Sequence, residues 1–410
     1  MKHILVVGSG IVGVCCALAL RRDGHEVTLV DRNEPGSQCS FGNAGTLCGN
    51  AHFPLAGMLP KIPAMLLKPT EPLSIVWRDL AQLVPWFWRY LKESRPSRTH
   101  AIAQAAASLN ERVHGEMTAM LRAAGLMQHL HWTGRLFAYR SNRALDAERH
   151  LMALKFEAGV QMRELSGDEA RDMEPALGPL VACAIYTPDA GHIVNPLRLT
   201  QELLRTYLQL GGKFVQADVT GFRQSGPQPT SAETSAGRIE ADMFLVASGA
   251  WSGALGRSVG TRLNLVAERG YHAMIAQPGV QLKIPTMWVD RKIAITQMEH
   301  GLRIAGVSEF GMPDSPPDYA KIPAMLKAAH ELLPGLQVRE YAEWMGPRPA
   351  TPDYLPVIGR SPRFANVLFA CGHGHSGLMF APVTARLVAD LAAGRPAAID
   401  LSPFDPGRFL

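Results

Sequence analysis

The absences in this sequence narrow its class before any motif is read. Its six cysteines, Cys15, Cys16, Cys39, Cys48, Cys183 and Cys371, form no CxxC pair and no Cys/His grouping at metal-ligand spacing. That argues against a zinc site and predicts reduced thiols in a cytoplasmic compartment. No run of about 18 uninterrupted apolar residues occurs, so nothing reads as a membrane span. Met1-Lys2-His3 leads straight into a buried-strand pattern without the layout of an export signal, so secretion is not expected. Basic residues number 41 against 36 acidic ones, and the net charge of +5 is diffuse. Such a balance gives no nucleic-acid surface and suits, at most, an anionic substrate or anionic lipid heads. No internal repeat is visible.

With 47% hydrophobic and 19% charged residues over a 410-residue chain, the composition is that of a globular protein with more than one core. Residues 3–7 (HILVV) read as a strand buried on both faces, 12–22 as a helix, Gly24 as its stop, and 26–31 as a second strand. Together they open a βαβ unit. Prolines 54, 60, 63, 69, 72 and 85 then punctuate a stretch rich in Leu, Met and Trp, which reads as short helices and turns. Helical spacing returns over 99–125, strand patterns over 131–139 and several runs in 262–310, and helix again over 319–333. The segment GPQPTSAETSAG reads as a surface connector.

In GSGIVG, Gly8, Gly10 and Gly13 fit G-x-G-x-x-G between strand and helix, with Ser9, Ile11 and Val12 in the same turn. Gly8 permits the turn, Gly10 lets backbone approach a pyrophosphate, and Gly13 allows close helix–strand packing. Asp31 ends the next strand, where an acid bonds an adenosine ribose, and Arg32 follows it. Further on, SQCSFGNAGTLCG supplies Ser40, Asn43, Ala44 and Gly45, then Thr46 and Leu47, a small donor-rich turn suited to a flat ring carrying acceptors.

A second glycine turn lies near the other end. NVLFACG reads as a strand, GHGHSG as a loop and 380–393 as a helix, so Gly374, His375, Ser376, Gly377 and Leu378 present another helix N-terminus. A reduced flavin carries negative charge around N1 and O2, which such a terminus stabilises. Head and tail are therefore expected to grip one FAD molecule from opposite ends. His373 and His375, at i, i+2 in a glycine loop, lack a third ligand and are assigned to loop and cavity roles rather than to a metal.

GSGIVG with Asp31, SFGNAG, VASGAWS, RPATPDYLPVIG and GHGHSGLMFAP, in this order, resemble the FAD-dependent D-amino acid oxidase superfamily, and within it the bacterial D-amino acid dehydrogenases. The resemblance spans essentially the whole chain. It implies an α/β fold in which a Rossmann-like FAD-binding domain of the glutathione-reductase type (1–52, 195–260 and 341–410) interleaves with a substrate domain on a mixed or antiparallel sheet with helices (53–194 and 261–340). It implies that Ser248, Gly249 and Trp251 pack on the cofactor and that Val219 meets the adenine through its backbone. Arg348, rigid between two prolines, is implied to bind the substrate carboxylate, and a planar guanidinium suits that task. His375 and Tyr271 are the further catalytic candidates; Arg269, His272, Trp288 and Arg291 are weaker candidates for substrate contact. Relatives with a flavin attached through cysteine carry it just ahead of TPD, where this chain has Ala350, so FAD is expected to be non-covalent.

The activity this implies is oxidative deamination of D-amino acids, D-proline or its hydroxylated forms among them. Hydride would pass from the α-carbon to flavin N5, giving an imine or 2-oxo acid, with electrons going to a quinone or other acceptor. The oily stretch 53–95 would face a membrane or partner, which would place the protein peripherally on the inner membrane. Alternatives are an oxidase or dehydrogenase of glycine, sarcosine or opine-type amines, and a flavin subunit of a larger electron-transfer complex.

Overall fold

A computed structural model of the chain describes residues 1–47, 54 and 73–409. Its first sheet has six strands in the order Lys213–Gln216, Glu26–Asp31, His3–Val7, Met243–Val246, Val367–Cys371 and Val357–Arg360; all neighbours are parallel except the last pair. His3–Val7 lies centrally, and both of its faces are covered. Ile4 and Val6 point into one core and Leu5 and Val7 into another, as a period-2 strand between two layers requires.

The first layer is helical: Ile11–Arg22, Pro196–Gln209, Gly377–Ala393 and the 29-residue helix Pro96–Ala124 share one core with the sheet. Gly377–Ala393 is long and apolar, and it is spent on this core rather than left exposed. The opposite layer is a three-stranded meander, Val219–Ser225, Gln228–Thr234 and Gly237–Glu240, with helix Ser252–Ser258. The expected surface connector is thus partly strand: Ala232 packs inward, Ser231 is buried beside it, and Gln228 and Thr230 are exposed.

A nine-stranded sheet forms the second body. Its path runs Ala342–Ala350, Val266–Ile275, Gly301–Gly311, Ile293–Met298, Thr286–Trp288, Arg135–Tyr139, Cys183–Thr187, Arg163–Ser166, with Leu73–Ile75 pairing on Gly301–Gly311. Helix Ile322–Leu332 fills one face. Two expected boundaries shift. Ala342–Ala350 pairs antiparallel with Val266–Ile275 and so belongs to this sheet, not to the cofactor domain that was expected to begin at 341. Pro96–Ala124, expected in the substrate domain, packs its apolar stripe on helix Gly377–Ala393.

Of the Pro-rich stretch, residues 53 and 55–72 lie outside the described residues. Residues 80–93 form a single 14-residue helix, Leu80–Glu93, with Pro85 inside it. This contrasts with the short helices and turns expected there.

Candidate active site

One cavity of about 890 Å³ lies between the two sheets, and both glycine turns open into it. From the first turn, Gly8, Gly10, Ile11 and Val12 line it; from the second, Gly374, His375, Gly377 and Leu378. The helices that follow, Ile11–Arg22 and Gly377–Ala393, have no side-chain cap and no acid in the first turn. Their N–H ends therefore present positive potential toward the cavity, side by side at one edge of the sheet. Gly8 has φ +111° and a Cβ there would lie 2.5 Å from the Ala247 carbonyl oxygen. The turn is closed in a shape that only glycine allows.

The other expected cofactor residues divide into wall and support. Asp31, Arg32, Ser40, Asn43, Ala44, Thr46, Val219, Ser248, Gly249, Trp251 and Arg348 line the cavity. Ser9 does not: it is fully buried and donates its N–H and hydroxyl to Asp31 Oδ2 at 2.7 and 2.9 Å, fixing that carboxylate. Gly13 stands behind the wall, packed on the Gly8 carbonyl. Gly45 pairs through its carbonyl with the Ile193 N–H at 2.8 Å, Leu47 is buried beneath it, and Ser376 is also off the wall. Ser40 accepts the Ile11 N–H at 2.8 Å and so ties the ring-facing turn to the first helix mouth. The Arg32 guanidinium sits 4.8 Å over the Trp251 ring at the far end.

A cavity onto which two neighbouring helix N-termini open, with glycines where backbone must come close, fits a dinucleotide flavin. Gly8, Gly10 and the first helix would hold the pyrophosphate, Asp31 the ribose, and the 40–46 turn with the 374–378 loop the ring system.

Arg348 is half-buried on the wall. Its guanidinium lies over Gly270, where a Cβ would be 1.9 Å from Nη2 and 2.0 Å from Cζ. Nη1 donates to the Val307 carbonyl at 3.3 Å. Burial lowers its pKa, opposed by the nearby Glu268 carboxylate. Glu268, the cross-strand partner of Arg348, is buried and also lines the cavity. Burial would raise its pKa, but the His375 ring, Arg348 and the Ser308 hydroxyl together hold it well below the carboxylate range. His375 Nε2 lies 2.9 Å from Glu268 Oε1, and the bridge between Ala350 and His373 draws the tail loop against the arginine strand.

This geometry depends on a bulge. Arg269 pairs with Glu309 and Tyr271 with Gly306, so Val307 and Ser308 together oppose Gly270. Val307 has φ 62°, an outlier for a β-branched residue. Lys292, Val307 and Tyr354 all line the cavity and are three of the four non-glycine residues with positive φ among the described residues. Local strain is thus concentrated at this wall.

Tyr271, expected to be catalytic, is corrected by the same alternation. Glu268 faces the cavity and Gly270 the Arg348 guanidinium, whereas Arg269 and Tyr271 face away; Tyr271 donates its hydroxyl to Glu309 at 2.7 Å, and Arg269 pairs with Glu309 at 3.2 Å. His272 stacks on Trp344 at 5.0 Å, Trp288 is core, and Arg291 pairs with Glu331 at 2.9 Å. None of these five lines the cavity.

Wall residues that the sequence reading missed are Glu268, Val307, Trp344, Tyr354, Arg135 and Lys155, and it missed Gly270, which lies under the Arg348 guanidinium. Glu268 left one signal, an acid inside the apolar strand VAERGYHAMI. Trp344 left none: its ring fills the space over Gly42 and Gly346, 1.9 and 2.0 Å from where their Cβ atoms would be. Among the described residues no cluster of three metal-ligating side chains occurs.

A protein named D-amino-acid oxidase from Bradyrhizobium diazoefficiens is 34% identical, aligned over 100% of this chain and 99% of its own length. One named D-amino acid dehydrogenase from Paramagnetospirillum magneticum is 29% identical over 99% of this chain and 98% of its own. The crystal structure of glycine oxidase from Geobacillus kaustophilus superposes with a TM-score of 0.76 over 100% of both chains at 22% identity, which shows a shared fold. The family model described as DAO, FAD dependent oxidoreductase, matches residues 3–391, and this chain belongs to that family of FAD-dependent oxidoreductases.

Proposed function

We propose that this protein oxidises D-amino acids, holding the α-carboxylate on Arg348 while hydride leaves the α-carbon and the amine lone pair forms a C=N bond. The imine then hydrolyses to a 2-oxo acid and ammonia, or remains cyclic for a proline-like substrate. FAD, when bound, supplies the hydride acceptor.

The observation that carries the reading is Arg348 itself, a guanidinium on the cavity wall that makes one long hydrogen bond to a carbonyl and no ion pair among the described residues. A carboxylate gives such a group its best partner. Glu268 keeps its charge and faces both Arg348 and His375, so it stabilises the positive wall without occupying the substrate position. The names of the two curated relatives support the D-amino acid class.

FAD is held without a covalent bond in this reading. Burial pushes the two cavity-wall thiols among the described residues, Cys39 and Cys371, up to about 12, so they stay protonated and poorly nucleophilic.

Electrons leave through a membrane-facing surface. Helix Leu80–Glu93 buries Leu83, Trp86 and Tyr90 but exposes Val84 at 55% and Trp88 at 64%, with Trp77 at 57% just before it. Aromatic rings flanked by Arg78 and Lys92 suit an anionic interface, and a lipid-soluble quinone fits as acceptor.

The test is anaerobic bleaching of the bound flavin by a panel of D- and L-amino acids, with peroxide measured in air. D-amino acids should bleach it. Arg348→Ala should raise KM by about 100-fold or more while the protein stays yellow; an unchanged KM would remove Arg348 from this role.

A further inference from the structure

The cavity continues beyond Arg348 to a second cationic wall. Arg348 stands on Ala342–Ala350, five strand positions from Arg135–Tyr139, but its guanidinium reaches across to the Val307 carbonyl on Gly301–Gly311, whose backbone is three positions, roughly 14 Å, from that strand. Arg135 and Phe137, spaced by two, share the face that also presents Met287 and Ala294 to the cavity.

Arg135 is 3% exposed, yet its Nε and Nη1 have no hydrogen-bond partner. Its guanidinium lies 4.8 Å from the Phe137 ring centre, and Lys155 Nζ lies 4.3 Å from the same centre. Lys155 is 7% exposed and also lines the cavity. Neither cation pairs with a carboxylate among the described residues. The acid on this wall, Glu148, accepts the Tyr139 hydroxyl at 3.3 Å, so two positive charges face one negative charge.

Buried donors are nearly always satisfied, and an incompletely satisfied guanidinium on a cavity wall points to a ligand. Burial also lowers Arg135 to about 10, and burial with the neighbouring Arg135 lowers Lys155 to about 8, against the pull of Glu148. These are cations with no compensating partner of their own.

We infer that Arg135 and Lys155 form a second anchor of the substrate site, which receives a side-chain carboxylate, so that the preferred substrates are dicarboxylic D-amino acids of the glutamate class. The inference rests on Arg348 holding the α-carboxylate. Side chains reaching inward from both walls shorten the gap between them, and an extended dicarboxylic amino acid bridges it. Phe137 forms the apolar floor under the charged end.

The test compares D-glutamate with D-glutamine, which has the same shape without the charge, and adds D-alanine and D-2-aminoadipate. In the purified holoenzyme, kcat/KM for D-glutamate should exceed that for D-glutamine by tenfold or more. Arg135→Gln and Lys155→Gln should each reduce that ratio by about tenfold or more, and Arg135→Lys should restore part of it. Glutarate should also perturb the flavin absorbance at concentrations at least tenfold lower than butyrate does, a measurement that needs no variant. A wild-type enzyme that prefers D-glutamine or D-alanine, a ratio unmoved by both substitutions, or equal binding of glutarate and butyrate overturns the inference and leaves the D-amino acid reading in place. Failure of every D-amino acid to bleach the flavin would instead overturn the underlying reading.

Discussion

Gly270 determines where Arg348 can be. The strand carrying Gly270 is paired on both sides, to Ala342–Ala350 and to Gly301–Gly311, so its backbone has no freedom to withdraw. In Gly270→Ala the new methyl would sit 2.0 Å from Cζ of Arg348, well inside van der Waals contact, and the guanidinium must swing away. The clash is with the far end of a flexible side chain, and the backbone need not move. Folding stability should therefore fall by only about 1 kcal/mol, and the flavin should remain bound, because neither glycine turn has to move. Catalysis should suffer far more. Losing a charge-assisted contact to the substrate carboxylate removes about 1.5–3 kcal/mol, and misplacement of the substrate by an ångström costs about 100-fold. We expect kcat/KM for D-amino acids to drop by about two orders of magnitude, measured by anaerobic stopped-flow bleaching, with the visible spectrum and Tm recorded on the same preparation. A yellow, stable Gly270→Ala enzyme with undiminished kcat/KM would refute both the placement of Arg348 and its role.

Glu268→Gln keeps the shape but removes the charge facing Arg348 and His375, and should destabilise the fold by about 1–3 kcal/mol at neutral pH. The sign of its pH dependence follows from its lowered pKa. Glu268 contributes stability above the unfolded carboxylate value of about 4.3, and this is lost as pH falls below that value. The Tm gap between wild type and Glu268→Gln should therefore hold steady down to about pH 5 and narrow from there toward about pH 3; a constant gap would argue against a charged Glu268. Since Lys155 titrates near 8, the preference for D-glutamate over D-glutamine should decline as pH rises through that value, and a flat ratio across it would take Lys155 out of the anchor. Replacing Trp77 and Trp88 with serine should reduce co-sedimentation with anionic vesicles several-fold without changing activity toward a soluble dye acceptor. Wild-type protein that leaves such vesicles untouched would end the membrane reading.

The βαβ opening, the turn at Gly8, the Asp31 strand end and the tail turn before helix Gly377–Ala393 were all legible in the chain, because strand–turn–helix units are specified by neighbouring residues. The apolar run, the glycines and the helix formers that define each unit lie within one short window. Arg348 was legible for a similar reason, set between Pro347 and Pro349 in a distinctive local motif. Tyr271 was misplaced, and Glu268 and Gly270 missed, because which residues of Val266–Ile275 face the cavity depends on register against strands contributed from elsewhere in the chain. A bulge at Val307 and Ser308 changes the pairing there. Arg135 and Lys155 belong to a separate part of the chain and meet Arg348 in one cavity only because Thr286–Trp288 pairs parallel with Arg135–Tyr139 and extends the sheet. The sequence alone determined the two strand–turn–helix units that open on the cavity; the residues of its other walls were decided by long-range strand pairing, which no local window of sequence encodes.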